Sequence, residues 1–367
     1  MRRSISCLAA ALLALAPAFA LAQGTGSVLV PDPTNPTTRV GTRGANFLEI
    51  GVGARGLALA GAYTSIAEGA TALYWNPAGI AEAEGPIAAV SIANLYGSSG
   101  VKHTFVGGVM PAGGSGAFGI ALTQLSSGDI QRTTENFPDG GDPTFGQTFS
   151  YTATSAGLYY ARRLTDRLAV GVGAKFITEG IDNAHANYFG LDIGTKFRTG
   201  LYGTHIAATM SNIGSSSRYR GPAIQKFIQN DFRPGATPIE FSTVDIQLPT
   251  LFRFSVRTDL LGASDALLAA NPHHTLYAVL EANDAIDTDV QMIFAAQYSY
   301  RDMVFLRAGK RFVNEKQADF RSFGFGASFG GGVRVPMGGG RKVAFDYAYT
   351  GMNDLKNVQV FSLEIGF

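Results

Sequence analysis

Several patterns in this chain use residue types suited to chemistry, and each stops short of a complete constellation. Gly51-Val52-Gly53-Ala54-Arg55-Gly56 has the G-x-G-x-x-G spacing that lets a backbone approach a pyrophosphate, but no strand of a βαβ unit precedes it. Asp139-Gly140-Gly141-Asp142 offers two carboxylates to Ca²⁺, and equally makes an ordinary solvated turn. The five histidines (His103, His185, His205, His273, His274) include no H-E-x-x-H pair. The single cysteine, Cys7, lies near the amino terminus, and no G-x-S-x-G elbow occurs. The expectation is a protein that is not an enzyme and carries no cofactor and no metal.

A different set of charges recurs at alternate positions: Lys175, Glu179, Asp192, Lys196, Arg253, Arg257, Arg307 and Asp346. The elements that position them are strands. Leu168, Val170, Val172, Ala174 and Phe176 fall opposite Gly171, Gly173, Lys175 and Glu179. Phe189, Leu191, Ile193 and Phe197 fall opposite Gly190, Asp192, Gly194 and Lys196. Phe252, Phe254 and Val256 oppose Arg253, Ser255 and Arg257, and Val343, Phe345, Tyr347 and Tyr349 oppose Ala344, Asp346 and Ala348. Such dyads suit a strand between lipid and a polar lumen, and also a soluble sandwich with one wet face. In a barrel these charges either steer an anionic head group or contact an inserted segment, or they form a wet lining paired with itself.

The ends and the composition favour the barrel. Residues 1–22 read as a signal peptide: Arg2-Arg3, then an uncharged Ala/Leu-rich core from Cys7 to Ala20, then Ala20-Leu21-Ala22 before Gln23. Its removal takes away the one thiol and lowers the formal charge from +1 to −1, since Arg2 and Arg3 leave with it. A near-neutral chain lacks the basic surface that nucleic acid requires. The 46 glycines, 25 phenylalanines and 14 tyrosines, with only 16% charged residues, fit many tight turns and a large apolar surface. His103 to Gly128 is uncharged and long enough to span a membrane as a helix, but Pro111 and dispersed glycines weaken any helix there.

Strands are expected at 86–96, 101–111, 115–126, 147–162, 166–179, 185–199, 202–213, 249–259, 273–282, 290–300, 303–313, 321–334, 342–350 and 357–367. Fourteen is an even number, as single-chain bacterial barrels have. Short connections are expected after even strands and longer ones after odd strands. Leu260 to Pro272 breaks that rule, and its Ala-Ser-Asp-Ala-Leu-Leu-Ala-Ala run suits a short helix. Gln359, Phe361, Leu363, Ile365 and Phe367 share one face, which resembles the carboxy-terminal signal read by the barrel assembly machinery. Tyr159, Tyr160, Tyr202 and Tyr300 are expected in interfacial girdles.

Between the signal peptide and the first strand, residues 23–85 differ in character. Gln23 to Gly44 is a Pro/Gly/Thr-rich tether. Beyond it, Phe47-Leu48-x-Ile50, Gly53-Ala54-Arg55-Gly56, Ala60-Gly61-Ala62-Tyr63 and Tyr74-Trp75-Asn76-Pro77-Ala78-Gly79 resemble the amino-terminal signature of the PorV/PorQ family. That family lies within the wider FadL-like superfamily of outer-membrane barrels. The resemblance implies an all-β, antiparallel transmembrane barrel over residues 86–367, located in the outer membrane of a Gram-negative-type cell. It also implies that the amino-terminal segment folds into the lumen as a hatch. Phe47, Arg55, Tyr74, Trp75, Asn76 and Pro77 are the candidate hatch or ligand residues. The small residues Gly53, Gly56, Ala58, Ala60, Gly61 and Ala62 permit close approach to a wall, and Trp75 and Asn76 also suit a purely folding role.

Two functions follow from the resemblance. One is a docking role in protein export, with secretion-system proteins or exported cargo as partners and the segments Ser127–Gly146 and Gly214–Leu248 as a landing surface. The alternative is passive uptake of long-chain fatty acids or other hydrophobic compounds. A barrel hydrolase using scattered Ser and His, and a structural barrel without a ligand, also stay open. Outer-membrane lipid and the assembly machinery are expected partners in every case.

Overall fold

The computed structural model describes residues 41–141, 143, 147–229, 236–288, 290–312, 327–352 and 356–366. The expected signal peptide, most of the tether, Asp142 and Phe367 lie outside these residues.

Fourteen long strands form one closed antiparallel barrel. They are β1 (Ile87–Asn94), β2 (Lys102–Pro111), β3 (Ala117–Ser126), β4 (Tyr151–Arg163), β5 (Leu168–Ile181), β6 (Ala184–Arg198) and β7 (Thr204–Gly214). The second half comprises β8 (Leu251–Gly262), β9 (His274–Ala285), β10 (Gln291–Tyr300), β11 (Val304–Phe312), β12 (Ala327–Pro336), β13 (Lys342–Gly351) and β14 (Asn357–Gly366). Each strand pairs with its neighbours in chain order, and β14 pairs with β1, so no edge is left open. The expected strand at 147–162 divides: Thr148–Phe149 pairs with Ile130–Gln131 in a small ribbon, and the wall begins at Tyr151.

The alternation seen in the sequence sorts the two faces. Phe118, Ile120, Leu158, Phe189, Leu191, Phe345 and Phe361 are exposed outward, while Lys175, Glu179, Asp192, Lys196, Arg253, Arg307 and Asp346 are buried inward. A continuous exposed apolar belt is an aggregation liability in water and the normal surface of a barrel in lipid. On β6 the belt runs from Phe189 to Phe197, which at ordinary rise and tilt is about 20 Å tall. Among the described residues no helix is long and apolar enough to cross a membrane.

The connections divide the two ends. One end carries 95–101, 127–150 and 215–250, and the other carries 112–116, 164–167, 199–203, 301–303 and 337–341. The pattern is broken where β5 turns tightly into β6 at Asp182-Asn183, at 286–290 and 352–356, which are no longer than the turns opposite, and at 263–273, which is long at the short-turn end. No helix forms in that long connection. The Leu267 and Leu268 N–H groups donate to Asp259 and Leu260 carbonyls, and Ala269–Ala270 runs parallel to Leu261–Gly262, so β8 supplies the bonds a helix would have made internally.

One girdle expectation is also corrected. Tyr160 faces out, packed against Phe118, whereas Tyr159 points inward and fills the space over Gly157 and Gly173. Adjacent strand residues cannot share a face.

The apolar core lies inside the barrel and is built largely by residues 45–83. This segment contains a 3₁₀ turn at Asn46–Glu49, α1 (Ala54–Ala58), α2 (Ala72–Trp75) and a second 3₁₀ turn at Pro77–Glu82. Both helices are far shorter than the dozen or so residues an isolated helix needs, so packing against the wall holds them.

Candidate functional site

A segment with so little regular structure must bury backbone groups that it cannot pair with itself. Wall side chains pair them. Glu179 accepts from Ala45 N–H at 2.9 Å, Ser91 Oγ from Gly53 at 3.2 Å and Ser362 Oγ from Ala54 at 2.7 Å. Glu281 accepts from both the N–H and the hydroxyl of Thr64, at 2.9 and 3.1 Å, and Glu364 accepts from Ala70 N–H at 3.2 Å. In the opposite sense Lys196 donates to Ala67 O at 3.1 Å and Arg311 to Ala60 O at 3.0 Å. The glycine-rich pattern at Gly51–Gly56 is accounted for here. The N–H groups of Gly53 and Ala54, which would face a phosphate, are engaged by wall hydroxyls.

The aromatic-Asn-Pro motif forms the centre of this interface. Trp75 Nε1 donates to Val52 O at 2.8 Å, and its ring meets Tyr63 and Tyr74 edge-on at 6.0 and 5.0 Å between centroids. Tyr74 hydroxyl donates to Leu48 O at 2.9 Å. Asn76 uses its whole amide: Nδ2 donates to Thr64 O and Thr195 O, both at 3.0 Å, and Oδ1 caps the next turn by accepting from Ala78 N–H at 3.1 Å. Pro77 occupies the first position of that turn, where a missing N–H costs nothing. Gly194 of β6 permits this approach, because a Cβ there would collide with Asn76 Oδ1. The guanidinium of Arg253 lies over the rings of Tyr74 and Trp75, at 5.4 and 5.1 Å.

Phe47 and Arg55 sit apart from that centre. Phe47 is buried toward the long-connection end with Ala153, Ile177, Ala186, Tyr188 and Leu248. Arg55 lies toward the short-turn end, ion-paired to Asp346 at 3.0 Å, Glu68 at 3.1 Å and Glu364 at 3.3 Å. Arg307 shares Asp346 at 2.6 Å, and Arg334 shares Glu68 at 3.3 Å. Nearby, Glu82 binds Lys196 at 2.7 Å and Arg198 at 2.8 Å. Burial raises the Glu82 carboxyl, and these two cations more than offset it, holding it below its ordinary range. Of the charges read as lumenal, Glu179, Lys196 and Asp346 therefore grip the inserted segment, while Lys175 pairs within the wall, with Asp192 at 2.8 Å.

Between segment and wall lies a cavity of about 20 Å³, lined by Leu48, Tyr74, Phe105, Tyr159, Lys175, Asp192 and Arg253 among others. That is room for about one water. A bulge in β7 shapes it: Asn212, in the left-handed region at φ 60°, donates its N–H to Asp192 at 2.8 Å and accepts from Lys175. Beside it Glu49 is mostly buried, with one carboxylate oxygen lacking a partner. Burial and then the Asp287 charge push its pKa up to about 7 against the pull of Arg253 and Arg311.

Sequence reading missed Glu49, Glu68, Glu281 and Glu364. The alternation places Glu281 and Glu364 on inward positions, which was the available signal; nothing in the local sequence marks Glu49 or Glu68.

No protein-family model matches the chain, and no curated protein does. Solved structures that share its fold include two toluene transporters. The Ralstonia pickettii toluene transporter TbuX superposes with a TM-score of 0.51 at 13% identity, over 86% of this chain and 98% of that one. The P. putida toluene transporter TodX superposes with a TM-score of 0.53 at 11% identity, over 86% and 99%.

Proposed function

We propose that this chain is a FadL-like outer-membrane barrel that passively admits small hydrophobic compounds, with residues 45–83 as its hatch. The observation that carries the reading is a lumen filled by an amino-terminal segment, in a barrel whose fold is that of two toluene transporters. The Leu48–Tyr74–Phe105–Tyr159 cavity is the ligand's station, and at about 20 Å³ it is too small for an aromatic ring until the hatch shifts. Arg253 and Lys175 make its polar rim. The role needs no chemistry on the ligand, so the protein acts without catalysis.

The docking role in protein export, expected from the amino-terminal signature, draws no support from these two likenesses, and membership of the PorV/PorQ family stays a proposal beneath the broader one.

The test is uptake of oleate and of toluene by Gram-negative cells that lack such channels and express this protein. Cells with the protein should take up at least one probe several-fold faster than cells with an empty vector. A hatch locked by Ala54→Cys with Ser362→Cys should return uptake to background when oxidised and restore it when reduced. Equal uptake with and without the protein, together with a co-purifying exported protein, would sink the uptake reading in favour of docking.

A further inference from the structure

The outer surface over β2–β6 steps from polar to apolar along one register line. Thr104, Gln124, Thr154, Thr178 and Asn187 are consecutive cross-strand partners, and so are Lys102, Ser126, Thr152, Gly180 and His185 in the row above. The next row toward the short-turn end is Val106, Leu122, Ala156, Phe176 and Phe189, followed by Gly108, Ile120, Leu158, Ala174 and Leu191. All of these face outward by strand parity, so the change from hydroxyls and amides to hydrocarbon marks the membrane boundary at the long-connection end.

Directly below that boundary the surface is concave. Gly108, Ala156 and Ala174 leave a groove of about 670 Å³ between the paired rings of Phe176 and Phe189 on one side and Val106 and Ile120 on the other. Directly above it, cations flank the polar rows. Lys102 stands at one edge, and Arg220, bridged through its backbone to His185, stands at the other. Among the described residues neither side chain has an ion pair, whereas Arg218 beside them is neutralised by Asp245 at 2.7 Å. Five strand intervals, about 24 Å, separate the two cations, because Arg220 pairs with the side of His185 turned away from β5. That span exceeds a single phosphate and suits a head group with two anionic ends.

We propose that this face is a docking site for a diphosphorylated, multi-acyl glycolipid of the outer leaflet. Its phosphates lie against Lys102 and Arg220, and one acyl chain fills the groove over Ala156 and Ala174. The arrangement matches opposite charge to head group and apolar concavity to chain in the order in which the membrane presents them. The site is on the outside of the wall and is independent of what passes through the lumen.

The experiment reconstitutes the barrel in phosphatidylcholine vesicles doped with lipid A, extracts it in mild detergent and counts retained lipid by native mass spectrometry. Lipid A should be retained over phosphatidylcholine by about tenfold per barrel, a difference of about 1.4 kcal/mol. Ala156→Phe fills the groove from the lipid side and should abolish that retention while the protein keeps the heat-dependent gel mobility of a folded barrel. Lys102→Glu with Arg220→Glu should remove the preference for lipid A but leave phosphatidylcholine retention unchanged. Retention that survives either change would overturn the proposal. So would a dimer that Ala156→Phe converts to monomer, because the groove would then be a contact between copies of the chain.

Discussion

At the long-connection end the inserted segment is held by Gly44 N–H, which donates to Gln247 O at 3.0 Å, and by one carboxylate, Glu179, which accepts from Ala45 N–H at 2.9 Å and from the hydroxyls of Tyr151 and Tyr188 at 3.0 and 2.8 Å. Toward the short-turn end it is held by Arg55, whose guanidinium joins Asp346, Glu68 and Glu364 and, through them, Arg307 and Arg334. Both grips use carboxylates, but the donors differ. Neutral donors can be lost singly, and the rest of the shell still solvates the anion. A shared guanidinium cannot, because its removal breaks three ion pairs at once and leaves the buried Asp346 to Arg307 alone. The segment should therefore loosen first at Ala45 and last at Arg55.

The largest test of that difference is Arg55→Met. It leaves Asp346 with Arg307 alone and takes from Glu364 its only ion pair among the described residues, a loss of about 3–5 kcal/mol for a broken buried pair. Hydrogen exchange of the protein in micelles should show residues 53–70 unprotected, with 44–50 following. If only 44–50 lost protection, the assignment of the stronger grip would be reversed.

A second test uses pH, through the carboxylate of Glu49 in the first part of the segment. Burial lifts the Glu49 pKa from 4.5 to about 7, so the docked segment binds a proton that the released segment does not. The contribution is fully present below pH 4.5 and is lost as pH rises through 7, reaching roughly 3 kcal/mol if the whole shift is realised. Exchange at 44–50 should quicken between those limits. Glu49→Gln should flatten the profile. A profile that persists in that variant would assign the titration to another group.

Asn76→Ala addresses the centre of the interface between segment and wall. It removes two donated bonds and the cap on Ala78, leaving Thr195 O and Thr64 O buried without this partner, for about 1–3 kcal/mol. The loss should appear in residues 64–82 and leave 44–50 and 53–63 as they were.

How much of this could be read beforehand follows from the reach of each interaction. The wall was legible because alternation is a local, period-two property, and Lys175 against Phe176 or Asp346 against Phe345 states which side faces lipid. The wet lining was legible too, but its partners were not. Asp346 meets Arg55 and Glu281 meets Thr64 across hundreds of residues, and no periodicity encodes such a pair. Tyr74, Trp75, Asn76 and Pro77 were found together because they are contiguous and act as one turn. Phe47 and Arg55, drawn from the same signature, lie in different parts of the barrel. Gly194 was seen only as a polar-side residue, since its reason for being glycine is the amide of Asn76 pressed against it. The short helix expected within Leu260 to Pro272 fails for a related reason: the composition favours one, while β8 offers the backbone ready partners.

The smallest expected effect is the sharpest check on the neutral grip. Tyr151→Phe removes one of the hydroxyls on Glu179 and leaves the Tyr188 hydroxyl and the Ala45 N–H in place. Tyr151 stands on β4, so the change deletes a bond within the wall and touches the segment only through the carboxylate. A single neutral hydrogen bond is worth about 0.5–1.5 kcal/mol, and exchange at 44–50 should rise by no more than the corresponding factor of about ten. Residues 53–70 should not respond. A collapse of protection along the whole segment would mean that Glu179 depends on a full shell as strictly as Asp346 depends on Arg55. The two ends would then be grips of one kind, and the order in which they release would have to be set by the packing of Phe47 and Trp75 instead.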